Sequence, residues 1–191
     1  MTVSRLLASI SRLMEKKIRN CFVSYHHNND QYYLAELREV VKSMKVSDYS
    51  LKDDIGHYTD ETIYKKVRNN MRRCSVTVVL IGTRTGHRKW IDWEIWASLR
   101  GYRHPYDDKK SFKPNGLLAI YLPTESHSIP NRLKDNIDSG YAVSMNWRNL
   151  EKDFESKVNY AYWKRINAVK KIRNYRVRMT DDYMNFLGFR I

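Results

Sequence analysis

Glu94 stands in the stretch 88-RKWIDWEIWASLR-100 among Trp90, Trp93 and Trp96. Burying a charge costs free energy unless something offsets it. The residue therefore lies on a wet face beside a wide apolar stripe, or it faces a pocket that uses its charge. The rest of the chain narrows the chemistry. It has no Gly-x-Gly-x-x-Gly, no Walker loop and no Gly-x-Ser-x-Gly elbow. Its six histidines are scattered without zinc-site spacing, and no metal is expected. A carboxylate without a metal or nucleophile partner suits a reaction that develops positive charge. Departure of a good leaving group from a sugar C1 is one such reaction, because a nearby carboxylate stabilises its oxocarbenium-like transition state. Two other polar groupings could line a site with it: Ser24, Tyr25 and His26 in 24-SYHHNND-30, and Asp48 with Ser50. Each has a plainer role available. The tryptophans can pack a helix, the histidines can be ordinary loop residues, and Asp48 and Ser50 can cap a turn. Glu94 itself can be a structural anion paired with Arg84 or Lys89.

The elements that would position these groups follow from hydrophobic periodicity. Residues 21-CFVSY-25 are apolar and β-prone, and Asp30 opens a pattern in which Leu34, Leu37, Val41 and Met44 share a helical face. A short second strand is expected at 48-DYSL-51, then a polar turn and a helix capped by Asp60 that carries Ile63, Val67 and Met71. The unbroken run 75-SVTVVLIG-82 reads as a central parallel strand buried on both faces. The loop 83–89, the tryptophan-rich helix, strands at 116-GLLAIYLP-123 and 141-YAVSMNW-147, and a long helix from Leu150 complete the pattern. Such alternation predicts an α/β fold, a flavodoxin-like, doubly wound five-stranded parallel sheet in the order 2-1-3-4-5. Ligands in these sheets bind beyond the strand carboxyl ends, where the chain reverses direction. That rule selects the loop 24–30 and the segment 83–94. Glu94 is thereby expected at the mouth of the crevice.

A chain of 191 residues most naturally forms one domain with additions. Charged residues at 29% and hydrophobic ones at 42% suit a soluble folded protein and exclude a disordered one. No apolar run approaches the ~20 residues of a membrane span. Cys21 and Cys74 form neither a disulfide framework nor a metal-ligand spacing, which fits a cytoplasmic protein with reduced thiols. The formal charge of +14, from 35 Lys and Arg against 21 Asp and Glu, favours an anionic partner without choosing among nucleic acid, membrane and phosphorylated ligand. The basic clusters 65-KKVRNNMRR-73, 84-RTGHRK-89 and 164-KRINAVKKIRNYRVR-178 belong to no recognisable nucleic-acid module, so most of them read as solvated helix faces. Residues 1–19 read as a basic amphipathic helix. Arg12 and Glu15 argue against a signal peptide, and the apolar stripe is expected to dock on its own domain or a partner subunit rather than on a membrane. The expected organisation is this extension, a domain over residues 20–171, and a tail over 172–191 that packs on it.

Phe22-Val-Ser-Tyr25, the loop around Gly56 and Trp90-Ile-Asp-Trp-Glu94 resemble the first strand, the BB loop and the W-x-x-x-E helix of TIR (Toll/interleukin-1 receptor-like) domains. The stretches VTVVLIGTRTGHRKWIDWEI, NGLLAIYLP and IPNRLKDNIDSGYAVSMNW resemble one branch more closely, the bacterial TIR-like proteins of Thoeris antiphage defence. The chain departs from TIR enzymes in its N-terminal extension and in its BB-loop residues. The resemblance implies an enzyme of the NAD nucleosidase or ADP-ribosyl cyclase type, with NAD as substrate and no cofactor. Nicotinamide would be released, and a cyclic ADP-ribose-type product would activate a separate effector. Glu94 inherits the catalytic role, and Trp90, one turn earlier on the same face, would support its orientation. Ser24, Tyr25, His26, Asp48 and Ser50 would line the substrate side. The implied partners are a second copy of the chain through TIR-like surfaces, the effector and a phage-derived trigger. Nucleic acid and membrane are not expected. The same residues are compatible with a different class of function, a TIR-like scaffold or sensor that assembles with partners and turns over no NAD.

Overall fold

The computed structural model describes residues 19–44, 46–48, 59–103, 106–107 and 111–181. The expected N-terminal helix, Ser50 and the loop around Gly56 lie outside the described residues. Four parallel strands make the body of the sheet: β1 (Arg19–Ser24), β3 (Val76–Ile81), β4 (Gly116–Tyr121) and β5 (Val143–Asn146). The three-residue β2 (Val46–Asp48) pairs with β1 at the edge, giving the order β2-β1-β3-β4-β5. All of these pairings are parallel. β1 and β3 are direct neighbours, with Ser24 opposite Val79, which is the adjacency that the crevice argument needs.

β3 has no exposed position, as its run of β-branched and apolar residues requires. Val76, Val78 and Leu80 point into one core with Leu34, Leu37 and Val41 of α1 (His27–Lys42), and with Phe154, Val158 and Ala161 of α5 (Leu150–Asn167). Val79 and Ile81 point to the opposite face, which is covered by Ile91 and Ile95 of α3 (Lys89–Ser98) and Leu133 of α4 (Asn131–Asp138). A third cluster joins Phe22 of β1 to Ile63, Val67 and Met71 of α2 (Asp60–Arg72). Helices thus cover both faces, and the α1 and α3 starts diverge from the two adjacent strand ends.

Helix starts correct the sequence reading in two places. α1 begins at His27, three residues before Asp30, because His26 is the N-cap and its ring nitrogen accepts from the Asn29 N–H at 3.3 Å. Thr59, not Asp60, caps α2 by accepting from the Thr62 N–H at 3.4 Å. The second strand also lies earlier than 48–51, ending at Asp48. Cys21 and Cys74 are both buried and are not joined in a disulfide. Among the described residues no helix is long and apolar enough to cross a membrane.

At one position the packing admits no side chain at all. A Cβ on Gly116 would lie 2.1 Å from the carbonyl oxygen of Ala161, so α5 rests directly on the β4 backbone. Gly116→Ala is expected to push α5 off the sheet and destabilise the fold by roughly 1–3 kcal/mol, the usual penalty of overpacking. A urea melt with an unchanged midpoint would show that α5 moves freely there.

The described part of the C-terminal tail crosses α3 and α4. Arg132 is fully buried and donates to Asp92 at 2.9 and 3.3 Å. It also donates to the side chain of Asn174 and to the carbonyls of Arg176 and Val177. Asp92 in turn accepts from the Met179 N–H at 2.9 Å. One buried ion pair therefore ties the tail to the helix that carries Glu94.

Candidate active site

Ser24 is the last residue of β1, and the strand's alternation turns it to the face covered by α2 and α3. Glu94 is set by the loop and helix after β3. Thr85 is buried and locks that loop, accepting from the Gly82 N–H at 2.8 Å and donating to the Leu80 carbonyl at 3.2 Å. The Gly86 N–H then donates to the Ser128 carbonyl, which fixes the direction in which α3 leaves. Ile91 and Ile95 bury one side of α3, and at its other end the Ser98 hydroxyl meets Thr77 of β3 at 2.7 Å. With both ends pinned, the Glu94 side chain reaches back to β1. Ser24 Oγ donates to Glu94 Oε2 at 2.5 Å.

That contact joins residues 70 positions apart at the carboxyl end of β1. Glu94 is half-buried as a residue, yet its carboxyl group sits deep enough for desolvation to dominate. Burial raises its pKa from the ordinary 4.5 to about 8, and the Ser24 hydroxyl opposes the shift only in part. No cation contributes to the balance, so the reading of Glu94 as the partner of Arg84 or Lys89 finds no support among the described residues. The Lys89 ammonium instead lies over the Trp90 ring, 4.8 Å from its centre.

The three tryptophans separate into different roles. Trp90 packs on the cluster of Phe22, Ile63, Val67 and Met71, and edge-on against Trp93 at 5.2 Å. It anchors the first turn of the helix that carries Glu94. Trp93 donates its indole N–H to the Met179 carbonyl at 2.6 Å, and Trp96 faces Tyr64. Both belong to the outer side of α3.

Of the other candidates, Tyr25 is half-buried, and its hydroxyl lies 3.0 Å from His27 Nδ1. His26 is 3% exposed and serves as the N-cap of α1, a structural use of the residue. Asp48 pairs with Cys21 at the edge of the sheet, so its backbone stands beside β1.

The residue the sequence reading missed is Asp30. It lies in the first turn of α1, is 3% exposed, and its Oδ2 has no hydrogen-bond partner among the described residues. Burial raises its pKa, opposed by a hydrogen bond from the His26 backbone. The carboxyl rests against Gly82 at the end of β3, where a Cβ would come within 2.8 Å of Oδ1. An aspartate at a helix start is ordinarily a solvated partner of the dipole. The only local signal was Gly82 closing the β3 run, and it does not say which side chain will occupy the space.

A carboxyl is thus held by a serine hydroxyl at the ends of adjacent parallel strands, on a W-x-x-x-E helix. The family described as Thoeris protein ThsB, TIR-like domain, matches residues 22–127. The chain belongs to this family. The match makes it a ThsB-like TIR-like protein with a role in antiphage defence. It runs from β1 through α3 and β4 and so contains both Ser24 and Glu94. The ThsB-like assignment also accounts for the architecture, since TIR-like domains use a parallel sheet flanked by helices. α4, α5 and the tail lie beyond the matched segment.

Proposed function

We propose that this ThsB-like protein consumes NAD by cleaving the bond between nicotinamide and ribose. The ADP-ribosyl group then passes to an acceptor within the same nucleotide, giving a cyclic ADP-ribose-type signal for a separate effector. The observation that carries this reading is the Ser24–Glu94 hydrogen bond at the carboxyl end of β1. Nicotinamide is bound to C1 as a cation and departs neutral, so the reaction needs no general acid. It needs stabilisation of the positive charge that develops on the sugar, which an ionised carboxylate supplies. As the C1–N bond breaks, its electron pair leaves with nicotinamide. A nucleophilic atom of the same nucleotide then bonds to C1 and releases its proton. Water taking that place would give ADP-ribose, so cyclisation requires that water be kept out. Ser24 holds the carboxylate in orientation, and Trp90 anchors the first turn of the same helix against the core.

The raised pKa gives the proposal a pH signature. In the free protein Glu94 is mostly protonated below about 8. The active form is the anion, so kcat/KM for nicotinamide release is expected to climb about tenfold per pH unit below that value and level off above it. Bound substrate places a cationic ring nearby and favours ionisation, so the kcat profile should turn at a lower pH than the kcat/KM profile. The decisive measurement is mass spectrometry of nucleotides from cells expressing the protein, with and without phage infection. Infection-dependent loss of NAD with a cyclic product is the expected result. Unchanged NAD in a protein that assembles and protects cells would replace the enzyme by a scaffold.

A further inference from the structure

Basic residues that the sequence spreads over several segments are collected by the fold into one groove between α2 and α3. Two pockets there, of about 190 and 640 Å³, share Tyr64, Arg68 and Arg72, and neither is lined by Ser24 or Glu94. Arg100 and Lys113 extend the lining at one end, and Lys65 and Arg178 at the other. Glu61 is the single carboxylate in either lining, and Lys65 holds it at 2.8 Å. Arg68, Arg72, Arg100 and Lys113 form no ion pair with any described carboxylate. Several guanidinium groups lie over rings instead: Arg72 over Phe112 at 5.0 Å, Arg100 over Trp96 at 4.6 Å and Arg178 over Trp93 at 4.3 Å. Tyr102 stacks on Phe112 at the same end, 39% exposed.

We propose that this groove binds single-stranded nucleic acid. Uncompensated cations in a row track a phosphate backbone, and flat rings beside them give bases a surface for stacking. A solitary phosphate or a mononucleotide would leave most of the row unused. An acidic peptide would match the charge but have no use for the rings. A duplex hides its base faces and would meet only the cations. The inference is independent of NAD turnover, because it concerns different residues on α2 and α3.

The test is fluorescence anisotropy of the full-length protein with a labelled oligouridylate, repeated over a range of salt concentrations. Four phosphate contacts predict a slope of log affinity against log salt of about −3 for a single strand. The triple variant Arg68→Ala/Arg72→Ala/Arg100→Ala is expected to bind at least about tenfold more weakly and with a shallower slope. Tyr102→Ala should weaken binding several-fold with the slope unchanged, since it removes stacking and no charge. If the triple variant melts early, Arg72→Glu alone serves, because Arg72 is exposed and its reversal leaves the core intact. Three outcomes overturn the proposal. The arginine variants bind like the parent; AMP or inorganic phosphate displaces the oligomer as well as a second oligomer does; or a duplex or polyglutamate binds equally tightly.

Discussion

Glu94→Gln is expected to abolish nicotinamide release, and at alkaline pH to make the protein more stable. The first effect follows from charge. Gln keeps the shape and can still accept from Ser24, but it cannot stabilise an oxocarbenium ion. Losing one preorganised electrostatic contact lowers kcat by roughly 10²- to 10³-fold. The second effect follows from burial. The folded-state pKa of about 8 lies above the ordinary 4.5. The protonated form is therefore the one the fold prefers, and the stability associated with it is full below 4.5 and lost as pH rises through 8. At 1.36 kcal/mol per unit, the penalty of the ionised group is at most about 5 kcal/mol, and partial exposure to the crevice reduces it. The Gln variant escapes that penalty. Its melting temperature should exceed the parent's by several degrees at pH 9 and match it near pH 4.5. A carboxylate paired with a cation would show the opposite sign. Assays belong in the infected or otherwise assembled state. Full nicotinamide release by the activated variant would end the assignment of Glu94.

Arg132→Met should damage the fold without touching the chemistry. Arg132 and Asp92 are both buried, and removing one partner of such a pair typically costs 3–5 kcal/mol, because the other charge stays in the interior. Here Asp92 would keep only the Met179 N–H among its bonds named above, and the oxygens of Asn174, Arg176 and Val177 would lose their donor. The melting temperature is expected to fall by about 10 °C. Hydrogen exchange should accelerate first over residues 173–179, the segment that spans the Asn174, Arg176 and Val177 oxygens bound by this guanidinium. Adding Asp92→Asn removes the stranded charge and should restore part of the loss. Activity per folded molecule should change far less than in Glu94→Gln. Unaltered exchange over 173–179 in the single variant would show that the tail is held by other contacts.

Half of the setting of Glu94 was legible in the sequence. The apolar run of β3 and the alternation around it placed β1 and β3 side by side, and the switch-point rule then located Ser24 and Glu94 at one end of the sheet. Both inferences use periodicity, which is a local property that each segment carries alone. Helix starts were less legible. Asp30 and Asp60 are good capping residues by type, yet His26 and Thr59 make the caps. A cap depends on where a side chain lands relative to a free N–H, which a residue's type does not specify.

The sequence by itself determined the α/β architecture and the family signature, and it singled out Glu94 as the carboxylate to which the proposed chemistry is assigned. Only the tertiary structure decided what surrounds that carboxylate. The Ser24 hydroxyl, the desolvation that raises its pKa and the division of Trp90, Trp93 and Trp96 between core and outer groove all depend on which segments meet. So do Asp30 against Gly82, Asp92 with Arg132, and the gathering of Arg68, Arg72 and Arg100 into one groove. Ser24 and Glu94 are 70 positions apart, and no local pattern links one to the other. Burial and electrostatic environment are set by atoms brought together from distant segments, and for that reason they appear only when the chain is folded.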